Sequence, residues 1–453
     1  MRSLHLLAPL LLVPAAAAAQ APAPIRVPYV LDSLDNGLRF LVHEDHSAPV
    51  ATVNVWYHVG SGDERPGRTG FAHLFEHLMF MGSQHAPYPA FDRLLEGAGA
   101  NNNGSTTEDR TNYFEVGPTN ALPLMLWLEA DRMGWMLPVM DSAKVDLQRD
   151  VVKNERRERL ENQPYGMVWD HLPSMLYPGG HPYSWPVIGS MADLSAASVA
   201  DVQRFFREYY APNNAVVVVA GDVRADSVRA LMHAYFGAIA RGPEASRPRA
   251  VPRTLARDTA LVLEDRVQLA RLHYAWPAVK ETNPDRAAFD VVGYLLTGAK
   301  NGRLTQPLVY DRQIASSVQA SGDLKRHDGD FYVIATARPG QALPALQQVV
   351  DAELARLAAE GPTPRELEQA RNALEARFLG RLETVMNKAD MLNAYYYERG
   401  TPDGFQADLD ALRAVSADDV QRVVRNWLLG PRVIVSVVPQ GKPELAATGR
   451  ATP

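Results

Sequence analysis

No cysteine occurs anywhere in the 453 residues. That absence excludes disulfides, thiol nucleophiles, iron–sulfur clusters and Cys-type zinc fingers, so a metal would have to be held by His, Asp or Glu. Basic excess is missing too: 46 Lys and Arg stand against 52 Asp and Glu, a net charge of −6. Such a balance offers no field for nucleic acid and no polybasic patch for a membrane. Long apolar runs are scarce. Residues 6–13 form a short one, broken by Pro9 and followed by Pro14 and the alanines 15–19. It is too short to be a good membrane span, and with Arg2 before it and Ala17-Ala18-Ala19 after it, it fits an export signal cut before Gln20. We therefore expect residues 1–19 to be a cleaved signal peptide, and the mature chain to be soluble in the periplasm or secreted.

What is present is a globular composition, 46% hydrophobic, sufficient for two or three domains of roughly 100 to 200 residues each. The chain reads as one unit written twice. Asp201-Val202-Gln203-Arg204 precedes Phe205, Phe206, Tyr209 and Tyr210 and then the apolar run 215–220; Asp419-Val420-Gln421-Arg422 precedes Val423, Val424, Trp427 and Leu428 and then the run 433–438. The offset, 419 − 201 = 218, is close to half of the 434 residues left after removing 19. Each copy suggests a helix leading into a buried strand. Between the copies, residues 241–253 carry three prolines and a glycine without an apolar period, as a linker does. Residues 51–59 alternate, which predicts a strand with Val53, Val55, Tyr57 and Val59 on one face and Asn54, Trp56 and His58 on the other, in a sheet half covered by helices. Helices are predicted over 71–80 and 142–160. The fold class expected is α+β, sheets layered with helices.

Chemistry concentrates in residues 71–80, FAHLFEHLMF. On a helix, His73 and His77 lie one turn apart on one face, near enough for both imidazoles to reach one ion, and Glu76 shares that face. With 12 His in the chain, an HxxEH match is expected by chance only about 0.02 times. Phe71, Leu74, Phe75, Leu78, Met79 and Phe80 leave little solvent face, so the three polar residues need partners. Two imidazoles leave catalytic zinc one protein ligand short. Glu155 is the best candidate, placed by Val151 and Val152 on the inward face of its helix, with Glu158, one turn on, as the alternative. His58 reads as a sheet histidine.

HLFEH is the inverted zinc motif of the inverzincins, and the run NGLRFLVHEDHSAPVATVNVWYHVGSGDERPGRTGFAHLFEHLMFMGS resembles the N-terminal domain of the pitrilysin/insulinase family. ANNNGSTTEDRTNYFEV, HPYSWPVIGSMADLSAASVADVQRFFREYYAPNNAVVVVAGD and RLTQPLVYDRQIASSVQA resemble that family in the expected order, over nearly all of the mature chain. The resemblance implies a zinc metallopeptidase of two homologous domains, each a mostly antiparallel sheet with helices, forming half of a clamshell around a peptide. It implies zinc on His73, His77 and Glu155, Glu76 as catalytic base, and a substrate backbone pairing with the strand edge at Asn103, Gly104, Ser105 and Thr106. The expected organisation is a signal peptide at 1–19, a catalytic zinc-binding domain at 20–240, a linker at 241–255, a non-catalytic homologous domain at 256–442 and a tail at 443–453. In the second copy the offset carries Phe71 to Phe289 but turns His73, Glu76 and His77 into Val291, Tyr294 and Leu295, which cannot hold zinc. Active relatives usually supply an Arg and a Tyr, seven residues apart, from the domain facing the metal. Here the likeness places Val309 and Ser316 at those positions, and Tyr310 and Arg312 nearby do not share a helix face. A weak isolated peptidase is expected, working as a homo- or heterodimer with a related subunit that supplies the pair. The alternative is a peptide-binding scaffold subunit without activity.

Overall fold

The computed structural model describes residues 24–248, 251–253 and 255–447. The expected signal peptide and the last six residues lie outside them. Among the described residues the strands are β1 (Val30–Ser33), β2 (Arg39–Glu44), β3 (Val50–Tyr57), β4 (Asn101–Thr106), β5 (Thr111–Pro118), β6 (Ala215–Gly221), β7 (Thr259–Asp265), β8 (Arg271–Ala278), β9 (Ala315–Leu324), β10 (Gly329–Ala337) and β11 (Val433–Pro439). They form a six-stranded sheet ordered β1-β2-β6-β3-β5-β4 and a five-stranded sheet ordered β7-β11-β8-β10-β9. All neighbours are antiparallel except β2 with β6 and β7 with β11. Dropping β1, the second sheet repeats the first strand for strand, and β6 and β11 are the late strands that insert beside the first strand of each repeat. The architecture is α+β, two mostly antiparallel mixed sheets layered with helices.

The repeat extends to helix starts. Ser198 and Ser416, 218 apart, each accept the N–H three residues on while Asp201 or Asp419 reaches back to the serine N–H. This reciprocal capping satisfies two of the donors a helix start leaves free. Each cap aims its helix at the strand that follows, β6 or β11.

The strand expected over 51–59 forms as β3 but ends at Tyr57, and the sheet is covered on both faces. Thr52, Asn54 and Trp56 are buried, because the helix Val385–Arg399 of the second repeat lies across them. Asp390 accepts from Asn54 Nδ2 and Trp56 Nε1, both at 3.3 Å, and Asn393 donates to Asn54 O at 3.1 Å. The corresponding helix of the first repeat, Val168–Leu176, does the same in return, burying Val168, Leu172 and Leu176 against Val433, Val435 and Val437 of the second sheet. A polar strand face, read alone, points to water; here it faces side chains from more than 330 residues away that complete its hydrogen bonds. Of the segment expected as a tail, residues 443–447 pack on the second sheet, with Ala447 buried.

Candidate metal and catalytic site

The helix Phe71–Leu78 buries Phe71, Leu74, Phe75 and Leu78, which orients the remaining stripe, His73, Glu76 and His77, toward a cavity. No side chain of its own caps its start. Gly70, at φ +86°, turns the chain into the helix where a Cβ would come 2.7 Å from Ile188 O. The buried Glu64 carboxyl accepts from the N–H groups of Gly70 and Ala72 at 2.9 and 2.7 Å, satisfying donors that the helix start leaves free, while burial pushes its pKa well above the ordinary carboxylate range. Nothing in the sequence pointed to Glu64, since its contact depends on how the loop folds back.

The second element is the helix Ser142–Arg156, capped by Asp141, whose carboxylate accepts from Lys144 N–H at 2.9 Å. It passes into one π-helical turn, Arg157–Glu161. Val145 and Val152 are buried, and Glu155 follows Val152 by three residues onto the same side. Val151 departs from expectation: it is 40% exposed and lies on the cavity rim. Only Val152 therefore marks the inward face that carries Glu155.

His73, His77 and Glu155 come together: one ligand atom from each lies within 4.8 Å of the others. Glu155 Oε2 is 3.6 Å from His73 Nε2 and 3.2 Å from His77 Nε2. Bonds of about 2.0 to 2.1 Å in a tetrahedron put ligand atoms about 3.3 Å apart, so the donor set has the spacing and chemistry that suit zinc. Among the described residues no other group of three His, Asp or Glu converges in this way. Glu158 lines the cavity but stands outside the three. Glu155 Oε1 is held by Arg159 at 2.7 Å, leaving Oε2 for the imidazoles.

Electrostatics favour a cation. Burial, helped by the neighbouring His77, pushes His73 down to about 4, so its ring is neutral near pH 7, as a ligand must be. Burial raises Glu155, but the bond to His77 and the charges of His73 and Arg159 outweigh it and keep the group below its ordinary range. Glu76, beside the histidines, is raised by burial, and the hydrogen bond from Thr106 opposes that rise.

A cavity of about 850 Å³ opens over these groups, lined by His73, Glu76, His77, Glu155 and the residues Asn103, Gly104, Ser105 and Thr106 of β4. Strand β4 is the last in its sheet, so its outer edge has no neighbouring strand among the described residues. Val187 and Ile188 also line the cavity; they lie in a loop and carry no motif that sequence could flag. In the second repeat the helix Arg286–Thr297 buries Val291 and Leu295 where the first has His73 and His77. His58 lies half-buried in the bend just past β3: its ring stacks on Tyr397, with centroids 4.1 Å apart, and burial lowers it to about 3. Val309 is half-buried and Ser316 donates to Thr336 O at 3.2 Å.

Two family profiles match in tandem, "Insulinase (Peptidase family M16)" over residues 39–184 and "Peptidase M16 inactive domain" over residues 196–374. The zinc protease PqqE of Helicobacter pylori is 32% identical over 369 residues, spanning 80% of this chain and 82% of that protein. A crystal structure of a protease from Helicobacter pylori superposes with a TM-score of 0.85 at 27% identity, covering 91% of this chain and 99% of that one. The periplasmic protease PqqL of Escherichia coli shares the fold, with a TM-score of 0.74 at 18% identity over 94% of this chain and 49% of that one. The chain belongs to the peptidase M16 family, that of insulinase and pitrilysin.

Proposed function

We propose that this protein is a zinc-dependent endopeptidase that hydrolyses short or unfolded polypeptides in the periplasm or outside the cell. The observation that carries the proposal is the convergence of His73, His77 and Glu155, with Glu76 beside them, on a cavity walled by a free strand edge. His73, His77 and Glu155 would hold the metal. Zinc, when bound there, supplies Lewis acidity that brings the pKa of water to about 7. Glu76 takes the water proton as the peptide carbonyl is attacked and delivers it to the leaving amine. Thr106 occupies Glu76 Oε2, so Oε1 is the oxygen that moves the proton. The edge of β4 at Asn103–Thr106 aligns the substrate as an added strand, which suits extended chains and excludes folded ones. The division at 241–255 belongs to the same proposal, supported by the two sheets lying on either side of it.

The deciding experiment is zinc analysis and peptide cleavage on the chain starting at Gln20. About one zinc per chain with chelator-sensitive cleavage supports the proposal; zinc without any cleavage favours the scaffold alternative. N-terminal sequencing of periplasmic protein tests the export signal, and intact Met1 in a membrane fraction would refute it. No helix among the described residues is long and apolar enough to cross a membrane.

Val309 offers no donor, and the Ser316 hydroxyl is short and engaged. We therefore also propose that full activity requires a related subunit supplying an Arg/Tyr pair. Absence of one oxyanion donor costs about 10² to 10³ in rate.

A further inference from the structure

Strand β4 bears on Glu76 through two residues of one face. At Gly104 an added Cβ would stand 3.0 Å from Glu76 Cγ, with Asn112 O and Tyr113 Cδ1 each at 3.3 Å. Only a hydrogen leaves the Glu76 stem its place. Two residues on, and so on the same face, Thr106 Oγ1 donates to Glu76 Oε2 at 2.6 Å. Glu76 Oε1 has no protein partner among the described residues. One oxygen is thus fixed and the other left free by a strand whose opposite edge is unpaired.

The end of that strand is held from both repeats. Ser61 and Gly62 donate their N–H groups to Thr107 O and Glu108 O at 3.1 and 2.8 Å. From the second repeat, Arg326 N–H donates to Asp109 Oδ2 at 3.1 Å and Tyr397 Oη to Asp109 O at 2.9 Å. Lys325 Nζ lies 3.6 Å from Glu108. The turn that follows Thr106 therefore cannot shift without breaking contacts to the half of the molecule that has no metal ligands.

We propose that β4 is a positioning strand for Glu76: Gly104 and Thr106 set its carboxylate, and Arg326 and Tyr397 anchor the strand, so that the second repeat enters the catalytic geometry. The proposal rests on the peptidase assignment above. It links substrate to base, because a peptide that pairs along β4 stiffens the strand that orients Glu76. Substrates are then extended peptides long enough to cover β4, and shortening them lowers kcat as well as affinity.

The test uses the full mature chain carrying T106V, T106S, G104A or Y397F, with zinc content, kcat and KM on one fluorogenic peptide, and a crystal structure of metal-free T106V. Misplacing a reacting group by about 1 Å costs about 10²-fold. T106V is expected to lose about 10- to 100-fold in kcat with KM within about threefold and zinc unchanged. T106S is expected to restore most of kcat. Y397F should lower kcat by a smaller factor at unchanged zinc, and the metal-free T106V structure should show the Glu76 carboxylate rotated from its present place. Should G104A fail to fold, the two Thr106 variants still decide. Unchanged kcat in T106V, a rise in KM alone, T106S as weak as T106V, or an unmoved Glu76 would each overturn the proposal. If wild type binds zinc but cleaves nothing, the peptidase assignment fails, and the metal-free T106V structure still decides whether β4 positions Glu76.

Discussion

Two glutamates face one cavity, and their neighbours suit them to the different tasks proposed above. Glu155 offers one oxygen to two imidazoles and gives the other to Arg159, the arrangement of a ligand. Glu76 is raised by burial, the direction that suits the proposed base. Replacing Glu76 with Gln should keep about one zinc per chain while cleavage falls by at least about 10², as measured by elemental analysis and peptide assay. Glu155→Ala should instead lose the zinc; zinc loss in E76Q would move Glu76 into the ligand set. Chelation should lower the melting temperature of wild type but not of E155A, because a ligand bound only by the folded form stabilises it. The same logic of partners governs Arg132, buried with Glu115 and Glu129 and ringed by Phe80, Phe91 and Tyr113. Arg132→Met leaves carboxylates buried without their cation and should cost about 3 to 5 kcal/mol in urea denaturation. At this scale His73, Glu76 and His77 were legible, since four-residue spacing on a helix is a local property. Glu64 and Arg132 were not, as each finds its partners only after folding.

Elements repeat more faithfully than residues do. The Ser198 and Ser416 caps are equivalent in geometry, so each Ser→Ala change should cost about 1 kcal/mol, with the double variant near the sum because the sites share no partner. A larger effect confined to one repeat would show that its helix start has a further role. The helix Pro364–Arg381 offers a test by pH. Its Glu366 accepts from Thr363 and pairs with Arg303 at 2.8 Å, and the Arg303 bond above all holds it down at about 2. A carboxylate lowered on folding contributes its stability above the unfolded value of about 4.5 and loses it as pH falls toward 2. E366Q should flatten the stability profile between those limits and leave its shape above pH 5 unchanged. The positions of β3, of the helices Phe71–Leu78 and Ser142–Arg156 and of the repeated helix–strand pair followed from periodicity, and the π-helical turn after Arg156 did not, because it extends the same apolar spacing by a different ladder.

At the scale of the molecule, the two repeats are interlocked. Val385–Arg399 covers the first sheet and Val168–Leu176 the second, and Ile25 N–H reaches Gln406 Oε1 at 2.7 Å. Expressed apart, the segments 20–248 and 249–453 should each expose a sheet face and fail to give soluble monomers, whereas co-expression should restore a complex that binds zinc. Solubility of each half alone would refute this. A light-scattering monomer cleaving peptides at kcat/KM of about 10⁴ M⁻¹s⁻¹ or more, within the ordinary enzyme range, would refute the requirement for a second subunit.

Sequence by itself determined what depends on neighbours along the chain: the duplication at an offset of 218, the histidine pair with its glutamate, and the loss of that triplet in the second copy. A helical face is local, and its spacing is written into the residue order. Tertiary structure alone decided that the polar face of β3 is buried under a helix of the other repeat, that Glu64 seats the start of the histidine helix, and that Val151 lies at the rim while Glu155 reaches the imidazoles. It also brought Gly104 and Thr106 against Glu76, and Tyr397 against the turn beyond them. Those contacts join residues from 6 to more than 330 positions apart, and no periodicity encodes them. They exist because two sheets must each bury a second face, and each finds the cover in its partner's helix.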